Sequence, residues 1–312
     1  MPELAVVEAQ ERPRSYYWTG ALLVLLAAFC FACKGILIKI AYREYPIDAI
    51  ALLALRMIFA LPFYLLIGWR LAKTTEPTQL TPRQWLSLMA IGATGYYLAS
   101  YLNFLGLVYI TASLERVLLF IYPTFVLFLG VGVFGRKIKP RQYGALLLTY
   151  LGIALVFVPN IDAGDQTNLL LGSFWVVLSG IVYAVYLVGS DAFIAKIGSR
   201  KFTCYAMIAA TLPTALHGFV KHGFLTFLQY PAPVYAISGV MAVFVTVVPT
   251  FMIAEGIRRI GSGNTSIVAS IGPIFTIVLA STVLGEQISF WQAVGTGLVL
   301  AGVVWIGWKG EK

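Results

Sequence analysis

Charged residues are scarce in this chain of 312 residues, where Asp, Glu, Lys and Arg make up 11%. A soluble domain carries about 25%, so the scarcity excludes an ordinary soluble protein and predicts one embedded in a lipid bilayer. The net charge is +9, but no basic cluster interleaves with aromatic residues in a polar region, as nucleic-acid binding would require. We therefore predict no nucleic-acid partner and attribute the positive charge to loops that face the cytoplasm.

Residues that bind metals or activate nucleophiles are also few, with three cysteines and two histidines. Cys30 and Cys33 form a C-x-x-C inside an apolar run with no second ligand pair. His217 and His222 do not have the i, i+4 spacing of a helical metal site, and the phosphate-binding sequence G-x-x-x-x-G-K-[ST] does not occur. We predict no metal, no cofactor, no enzymatic activity and no ATPase subunit, so any transport would depend on gradients.

Long apolar runs fill most of the chain, and hydrophobic residues make up 60% of it. A membrane-spanning helix needs about 20 predominantly apolar residues, and short polar or glycine-rich stretches such as 261–264 separate the candidates. Arg12 and Arg14 precede the first run without a small-residue cleavage site, so no cleavable signal peptide is expected. The chain is predicted to be an all-α membrane protein. Its ten predicted spans are 16–41, 47–70, 84–108, 112–134, 140–158, 171–195, 200–220, 232–257, 263–284 and 288–308.

The chain contains an internal repeat. Residues 121–152 align with residues 271–302 at a constant offset of 150 without a gap, and ten of the 32 positions are identical, including Pro123 with Pro273. A duplicated membrane unit is typical of secondary transporters. The predicted divisions are a cytoplasmic tail at 1–15, a first five-helix repeat at 16–158, a periplasmic linker at 159–170, a second repeat at 171–308 and a tail at 309–312.

The positions of Lys and Arg predict the orientation of these helices. Sixteen lie in the tails and loops of one side, whereas only Arg43 and Lys221 lie on the other side. Because cytoplasmic loops are enriched in Lys and Arg, both termini are predicted to be cytoplasmic. Corresponding helices are an odd number of spans apart, so the two repeats cross the membrane in opposite directions. Such inverted repeats provide two similar conformations, one open to each side.

Tyrosine and serine residues recur at helical spacing inside the apolar runs. Tyr97 and Tyr101 share a face of the predicted third helix, and Tyr183 and Tyr186 share a face of the sixth. These faces predict an amphipathic cavity, in which rings stack on an apolar or aromatic substrate and hydroxyls bind its polar groups. The alternative is that they hydrogen-bond between helices as packing contacts. The candidate substrate-binding residues are Lys34, Tyr97, Tyr101, Tyr122, Ser179, Tyr183, Tyr186, Ser266 and Ser270.

Charged residues within the spans are further candidates, because a charge in the membrane interior must face protein or water. Lys34 is placed about 7 Å from the midplane by helical rise, and it either pairs with a substrate carboxylate or extends to the outer interface. Glu115 and Arg116 are predicted to form a local ion pair or an outer gate. Asp48 and Glu115 are the candidate partners of Arg56.

A proton-coupled transporter needs a carboxylate at membrane depth, and the sequence offers only Glu115 and Asp191, neither of them predicted to lie deep. Asp191 either titrates or pairs with Lys196. Both proton coupling and facilitated diffusion fit these observations. Pro123 and Pro273 are predicted to kink two equivalent helices and so permit bending. The candidate gating and coupling residues are Arg56, Glu115, Arg116, Pro123, Asp191 and Pro273.

Small residues mark the predicted tenth helix. Ala293, Gly297 and Ala301 recur every four residues, and this ridge suits close packing, either onto the predicted fifth helix or across a dimer interface. We therefore expect a monomer or a homodimer.

Three segments carry a resemblance to a known family: ALRMIFALPF (54–63), the run from GLVYITAS (106–113) through YPTFVLFLGVGVFG (122–135), and GIRRIGSGNTSIVASIGPIFTIVLASTVLGEQIS (256–289). Over roughly residues 17–308 the chain resembles the drug/metabolite transporter superfamily in its ten-helix EamA-type form. The resemblance implies that helices 5 and 10 lie outside the substrate cavity. Among family members, the tyrosine pattern is most similar to bacterial exporters of aromatic amino acids.

Two positions depart from the family pattern. The family's Gly-Glu appears as Gly285-Glu286 in the second repeat but as Gly135-Arg136 in the first, and Lys34 stands where a small polar residue is expected. We therefore expect a substrate site that differs from that of the family at large.

These observations together predict a secondary transporter of the bacterial inner membrane, with the bilayer and a small-molecule substrate as its partners. It would export small metabolites, amino acids with aromatic ones favoured, by alternating access. The alternative within transport is an exporter of drugs or of nucleoside or purine-type metabolites. The alternative from another class is a channel or receptor-like membrane protein.

Overall fold

The computed structural model describes residues 14–74, 79–134, 140–157, 167–269 and 271–307, and the regular structure in these ranges is helical. The α-helices of the first half are α1 (Arg14–Glu44), α2 (Ala49–Thr74), α3 (Pro82–Gly92), α4 (Ser100–Tyr109), α5 (Ala112–Leu119), α6 (Tyr122–Phe134) and α7 (Pro140–Phe157). Those of the second half are α8 (Leu169–Ile197), α9 (Ser199–His222), α10 (Ala232–Val240), α11 (Val248–Ala269), α12 (Gly272–Leu279) and α13 (Phe290–Gly307).

Six helical stretches are long and apolar enough to cross a membrane, so the prediction of an all-α membrane protein is confirmed for the described residues. The number of ten spans and the cytoplasmic termini stay predictions. The six are Ser15–Glu44, Ala49–Thr74, Ala112–Gly132, Leu169–Ile197, Ser199–His222 and Ala232–Ile260, and shorter apolar helices cover Tyr143–Phe157, Gly272–Leu284 and Phe290–Gly302.

Three π-helical segments interrupt the regular helices. Ala93–Ala99 joins α3 to α4, Met241–Val247 joins α10 to α11, and Ala280–Leu284 follows α12. The first two occupy nearly equivalent positions in the two halves. Single π-turns within helices are frequent at functional sites, and the first of these carries Tyr96 and Tyr97.

Both halves break a helix immediately before the repeated proline. The chain leaves α5 at Leu119 and resumes at Tyr122, and it leaves α11 at Ala269 and resumes at Gly272. Pro123 and Pro273 therefore lie in the first turn of α6 and α12, where a missing backbone N–H breaks no helical hydrogen bond. The predicted kinks within continuous helices are wrong in this detail, because each proline begins a new helix.

The predicted boundary at 261–264 is also wrong, since α11 runs without interruption from Val248 to Ala269. In the first half the equivalent position is a true turn, where Ile110 is extended at φ −121° and ψ 164° and Thr111 caps α5 by accepting from Leu114 N. Thr111 has glycine as its counterpart 150 residues later. That counterpart has no side chain with which to cap a new helix.

Equivalent helices of the two halves pack against equivalent partners in the opposite half, as a two-fold relation requires. Helix α1 packs against α11 and α12, and its counterpart α8 packs against α4 and α6. Helix α2 packs against its counterpart α9, and α7 against its counterpart α13. Residues 49–57 of α2 are buried at every position, so α2 lies at the centre of the largest apolar core.

Helices α7 and α13 touch backbone to backbone. A Cβ at Gly295 would lie 2.5 Å from the carbonyl oxygen of Gly152, and one at Gly302 would lie 2.7 Å from that of Ala145. The predicted packing of the tenth helix onto the fifth is therefore observed, but the face is different. The ridge of Ala293, Gly297 and Ala301 is exposed instead.

Candidate functional site

A buried polar cluster joins α1, α4 and α5. Lys34 Nζ donates to Asn103 Oδ1 at 2.8 Å and lies 3.5 Å from Glu115 Oε1, and Asn103 Nδ2 donates to the same carboxylate oxygen at 2.6 Å. The side chain of Glu115 is 1% exposed and that of Lys34 is 18% exposed. Lys34 thus neither extends to the surface nor stands free for a substrate carboxylate. Asn103 also belongs to this cluster, although the spacing of polar residues along its helix does not indicate it.

Two arginines, Arg56 and Arg116, adjoin this cluster. Glu115 forms its ion pair with Lys34, and it also interacts electrostatically with Arg116, its predicted partner. Asp48, one of the two candidate partners of Arg56, pairs with Lys221 instead. Arg56 is 6% exposed and lies over the ring of Phe104, 5.1 Å from its centroid. The Nε atoms of Arg56 and Arg116 are buried without a hydrogen-bond partner in the part of the chain that the structure describes.

Arg116 occupies a space that an asymmetry of the repeat provides. A Cβ at Gly272 would lie 2.8 Å from Arg116 Nη2. The equivalent of Gly272 in the first half is Tyr122, and a side chain of that size at position 272 would exclude the guanidinium. Tyr122 and Tyr183 are close enough to interact electrostatically with Arg116. Arg116 therefore connects the buried ionic cluster to a group of tyrosines.

These tyrosines are Tyr96, Tyr122, Tyr183 and Tyr186, hereafter the tyrosine cluster. Ring centroids are 5.4 Å apart for Tyr122 and Tyr183, 5.6 Å for Tyr183 and Tyr186, and 5.2 Å for Tyr96 and Tyr186. Tyr186 Oη donates to Tyr96 Oη at 3.0 Å. A Cβ at Gly95 would lie 2.3 Å from the Tyr186 ring, so the glycine permits this contact.

Tyr97 and Tyr101 do not join the tyrosine cluster, although their helix contributes Tyr96 to it. Their rings stack with centroids 6.5 Å apart, and both contact His217 on α9, whose Nδ1 lies 3.0 Å from Tyr97 Oη. Tyr97 and Tyr101 therefore share a face, as their spacing predicts, but that face contacts His217 rather than the tyrosine pair of α8. The adjacent residues Tyr96 and Tyr97 of the π-helical segment therefore point to two different groups. The sequence pattern gives no sign that His217 contacts these tyrosines.

The remaining predicted residues are structural, exposed or outside the described part. Ser179 Oγ donates to the carbonyl oxygen of Ala99 at 2.7 Å, which is the packing contact given as the alternative. Asp191 is exposed, and Lys196 donates to Gln84 Oε1 at 2.9 Å instead of pairing with it. Ser270 and the side chain of Ser266 lie outside the described residues.

A carboxylate that was not among the predicted site residues links the two halves. Glu286 Oε1 accepts from Ala112 N at 2.8 Å, and Oε2 accepts from Ser113 N at 3.2 Å and from Ser113 Oγ at 2.5 Å. Lys39 Nζ donates to the carbonyl oxygens of Leu107 and Ile110. The turn before α5 is thus held by a cation and an anion, beside a cavity of about 750 Å³. The sequence feature that could have predicted this contact is Glu286 itself, which the first repeat replaces by Arg136.

A second contact between the halves joins the start of α2 to the end of α9. Asp48 Oδ2 lies 2.5 Å from Lys221 Nζ and 3.0 Å from His222 Nε2, and its Oδ1 accepts from Ala51 N. Burial alone would raise the pKa of the Asp48 carboxyl, but the bonds from Lys221 and Ala51 hold that pKa below its usual range. Asp48 is therefore an ionised partner at neutral pH.

At the other end of α9, a charged group lies within the second half. Glu255 Oε2 lies 2.6 Å from Arg200 Nη2, Glu255 Oε1 lies 2.7 Å from Arg259 Nε, and Arg258 donates to the same carboxylate. Among the described residues, no group of three His, Cys, Asp or Glu side chains is placed to hold a metal ion.

Comparisons with known proteins agree with this architecture. A protein of Bacillus subtilis (strain 168), described as uncharacterized transporter YcbK, is 32% identical over 288 residues, which cover 89% of each chain. Uncharacterized transporter sll1319 of Synechocystis sp. is 27% identical over 308 residues, 90% of each chain. One solved protein structure shares the fold with a TM-score of 0.60 at 14% identity, covering 93% of this chain and 96% of that one.

The family comparison matches both halves separately. The sequence model of the EamA-like transporter family matches residues 18–158 and residues 170–308. Together the two matches cover most of the chain, and the predicted resemblance to EamA-type transporters is confirmed. Relatives described as transporters and several long apolar helices identify a multi-pass membrane protein of the transporter class. The chain belongs to the EamA-like transporter family.

Proposed function

We propose that the protein is a secondary transporter of the bacterial inner membrane that exports amino acids, with aromatic ones favoured. The observation that carries this proposal is the continuity of the tyrosine cluster with the buried ionic cluster through Arg116. An amino acid with an aromatic side chain needs both surfaces, one for its ring and one for its charged backbone groups.

The tyrosine cluster suits an aromatic side chain. Its rings meet in edge-to-face and stacked arrangements, and an added ring in such a geometry contributes about 0.5–1.5 kcal/mol beyond its buried area. Beside it, Lys34, Arg56 and Arg116 outnumber the single carboxylate of Glu115. An excess of cations favours a substrate that brings a carboxylate, and it disfavours a cationic substrate.

The transport cycle would be alternating access by ten helices in two inverted repeats, with both termini in the cytoplasm. Helix pairs that exchange between the halves, and breaks at equivalent positions, support a two-fold relation. In the predicted orientation, the Glu286 and Asp48 contacts join the halves on the periplasmic side. Their release would open that side for export.

Transport by the purified full chain in liposomes tests this proposal. Vesicles loaded with labelled phenylalanine, tryptophan, leucine or adenosine are assayed for efflux with and without a pH gradient, against protein-free vesicles. We expect phenylalanine and tryptophan to leave fastest. Efflux at the protein-free rate for every amino acid would contradict the proposal, and efflux of adenosine alone would favour the nucleoside alternative.

A variant of the tyrosine cluster sharpens the test. Tyr183→Leu removes a ring that contacts Tyr122 and Tyr186, so the KM for phenylalanine should rise about two- to tenfold, while Tyr183→Phe should retain most affinity. Tyr143→Leu is the matched control because Tyr143 is 60% exposed on α7. Equal effects of Tyr183→Leu on phenylalanine and on an aliphatic amino acid would contradict a ring-specific contact.

A further inference from the structure

We infer that Arg116 is the residue that binds the carboxylate of the substrate, an inference that rests on the proposed amino acid transport. Of the three cations at the site, Lys34 is occupied by Asn103 and Glu115. Arg56 lies over the ring of Phe104 and is 6% exposed. Arg116 alone among them lies beside the tyrosine cluster, where the ring of a substrate would bind.

The hydrogen bonding of Arg116 is incomplete. Its Nε is buried and has no acceptor among the described residues, and buried donors are almost always paired in native proteins. A guanidinium presents its donors in a planar fork that matches both oxygens of a carboxylate. A substrate carboxylate at this position would supply the missing acceptor and add to the attraction that Glu115 exerts on the guanidinium.

The sequence asymmetry of the repeat gives Arg116 its position. Its counterpart 150 residues later is Ser266, and the counterpart of the adjoining Gly272 is Tyr122. The first half thus contributes a cation and a ring, and the second half contributes the space beside Gly272 that holds the guanidinium. A symmetric scaffold thereby acquires one polar end and one aromatic end, which is what an aromatic amino acid requires.

The protein should select its substrates by their carboxylate as well as by their aromatic ring. Phenylalanine and 3-phenylpropanoate carry the carboxylate, whereas 2-phenylethylamine has the same ring and an amine but no carboxylate. Arg116 would attract the first two and repel the third. The protein should therefore move phenylalanine in preference to 2-phenylethylamine, although the ring contacts of the two are the same.

Efflux kinetics in liposomes test this with Arg116→Gln, Arg116→Lys and Gly272→Ala. Arg116→Gln should raise the KM for phenylalanine at least tenfold, equivalent to about 1.4 kcal/mol, and should not raise the KM for 2-phenylethylamine. Arg116→Lys keeps the charge without the fork and should fall between wild type and Arg116→Gln. Arg83→Gln is the matched control, because Arg83 is exposed at the start of α3.

Gly272→Ala tests the same site without changing any charge. The new methyl would lie 2.8 Å from Arg116 Nη2, so the guanidinium must move, and the KM for phenylalanine should rise about threefold. The mobile end of an arginine can shift, so this variant is expected to fold even if Arg116→Gln does not. Size-exclusion chromatography in detergent establishes folding for each variant.

Three results would overturn the inference. The first is a KM for phenylalanine within twofold of wild type in both Arg116→Gln and Gly272→Ala. The second is an equal loss of transport for phenylalanine and 2-phenylethylamine, which would indicate a structural role for Arg116. The third is a wild-type protein that moves no amino acid, which overturns the proposed function and the inference with it.

Discussion

Buried charge is the main problem that single residues of this protein solve. An unpaired charge inside a membrane protein is costly, and a buried pair is stable only when hydrogen bonds satisfy the remaining donors and acceptors. Lys34 and Glu115 meet this condition through Asn103, which bonds to both. Arg56 and Arg116 do not meet it fully, since their Nε atoms lack partners in the described part of the chain. The incompletely paired charges are the ones available to a ligand.

Asp48 allows a residue-level prediction of pH dependence. Its pKa is held below the usual value by Lys221 and Ala51. A carboxyl whose folded pKa is depressed stabilises the fold above its unfolded pKa, about 3.9, and loses that contribution as pH falls through the lower folded value. We expect the Tm difference between wild type and Asp48→Asn to be constant from pH 5 to 7 and to shrink below about pH 4.

The controls for Asp48 follow from its neighbours. His222 Nε2 lies 3.0 Å from the same carboxylate oxygen, so the series is repeated in a His222→Gln background. Asp191→Asn is the matched exposed substitution and should leave Tm unchanged. A Tm difference that grows on acidification would contradict the assignment of Asp48 as an ionised contact.

The start of α5 depends on capping side chains from both halves of the chain. Thr111 and Glu286 together satisfy the first amides of α5. At the equivalent point of the second half, glycine replaces Thr111 and Arg136 replaces Glu286. Neither glycine nor arginine has a side-chain acceptor for backbone N–H groups, so the second-half sequence lacks both capping residues, and α11 continues. Apolar length and glycine content alone could not reveal this difference.

The contact between α7 and α13 supports a prediction at the scale of elements. In Gly295→Ala the new methyl would lie 2.5 Å from the Gly152 carbonyl oxygen. Both groups at the clash are fixed to backbone, so the helices must separate, at a cost of about 1–3 kcal/mol. We expect a lower Tm in detergent and a smaller monodisperse fraction on size-exclusion chromatography.

The same helix supplies the control. Among the described residues, no heavy atom from a neighbouring helix lies within 4 Å of a Cβ added at Gly297. Gly297→Ala should therefore leave Tm unchanged or slightly higher, because alanine favours a helix over glycine. Equal destabilisation by both substitutions would show that the Gly295 face is not the packing face.

The whole molecule combines a symmetric frame with asymmetric contacts. Exchanged helix pairs and equivalent breaks describe the frame. The contacts of Glu286 and Asp48 join the two halves at one end. At the other end the carboxylate of Glu255 joins α9 to α11 within one half, and Lys196 donates to Gln84 across the halves. An unequal distribution of contacts over a symmetric frame favours one of two otherwise similar conformations.

Reporter fusions test the orientation that the charge bias predicts. Alkaline phosphatase fused after residue 312 should be inactive and a fluorescent protein at the same point should fluoresce, because cationic loops stay in the cytoplasm. Phosphatase fused after residue 162, in the predicted periplasmic linker, should be active. Active phosphatase at the C-terminus would contradict an even number of spans with cytoplasmic ends.

The sequence by itself determined the helical membrane class, the repeat and the family, because these follow from composition, periodicity and local similarity along the chain. It also placed Tyr122, Tyr183 and Tyr186 among the candidate substrate-binding residues, and these three rings lie together in the structure. Only the tertiary structure decided which charges pair, which of two adjacent tyrosines joins the cluster, and that Arg116 lies against Gly272. Those outcomes depend on distances between helices that are far apart in the sequence. The spacing of residues within one helix gives no information about these distances.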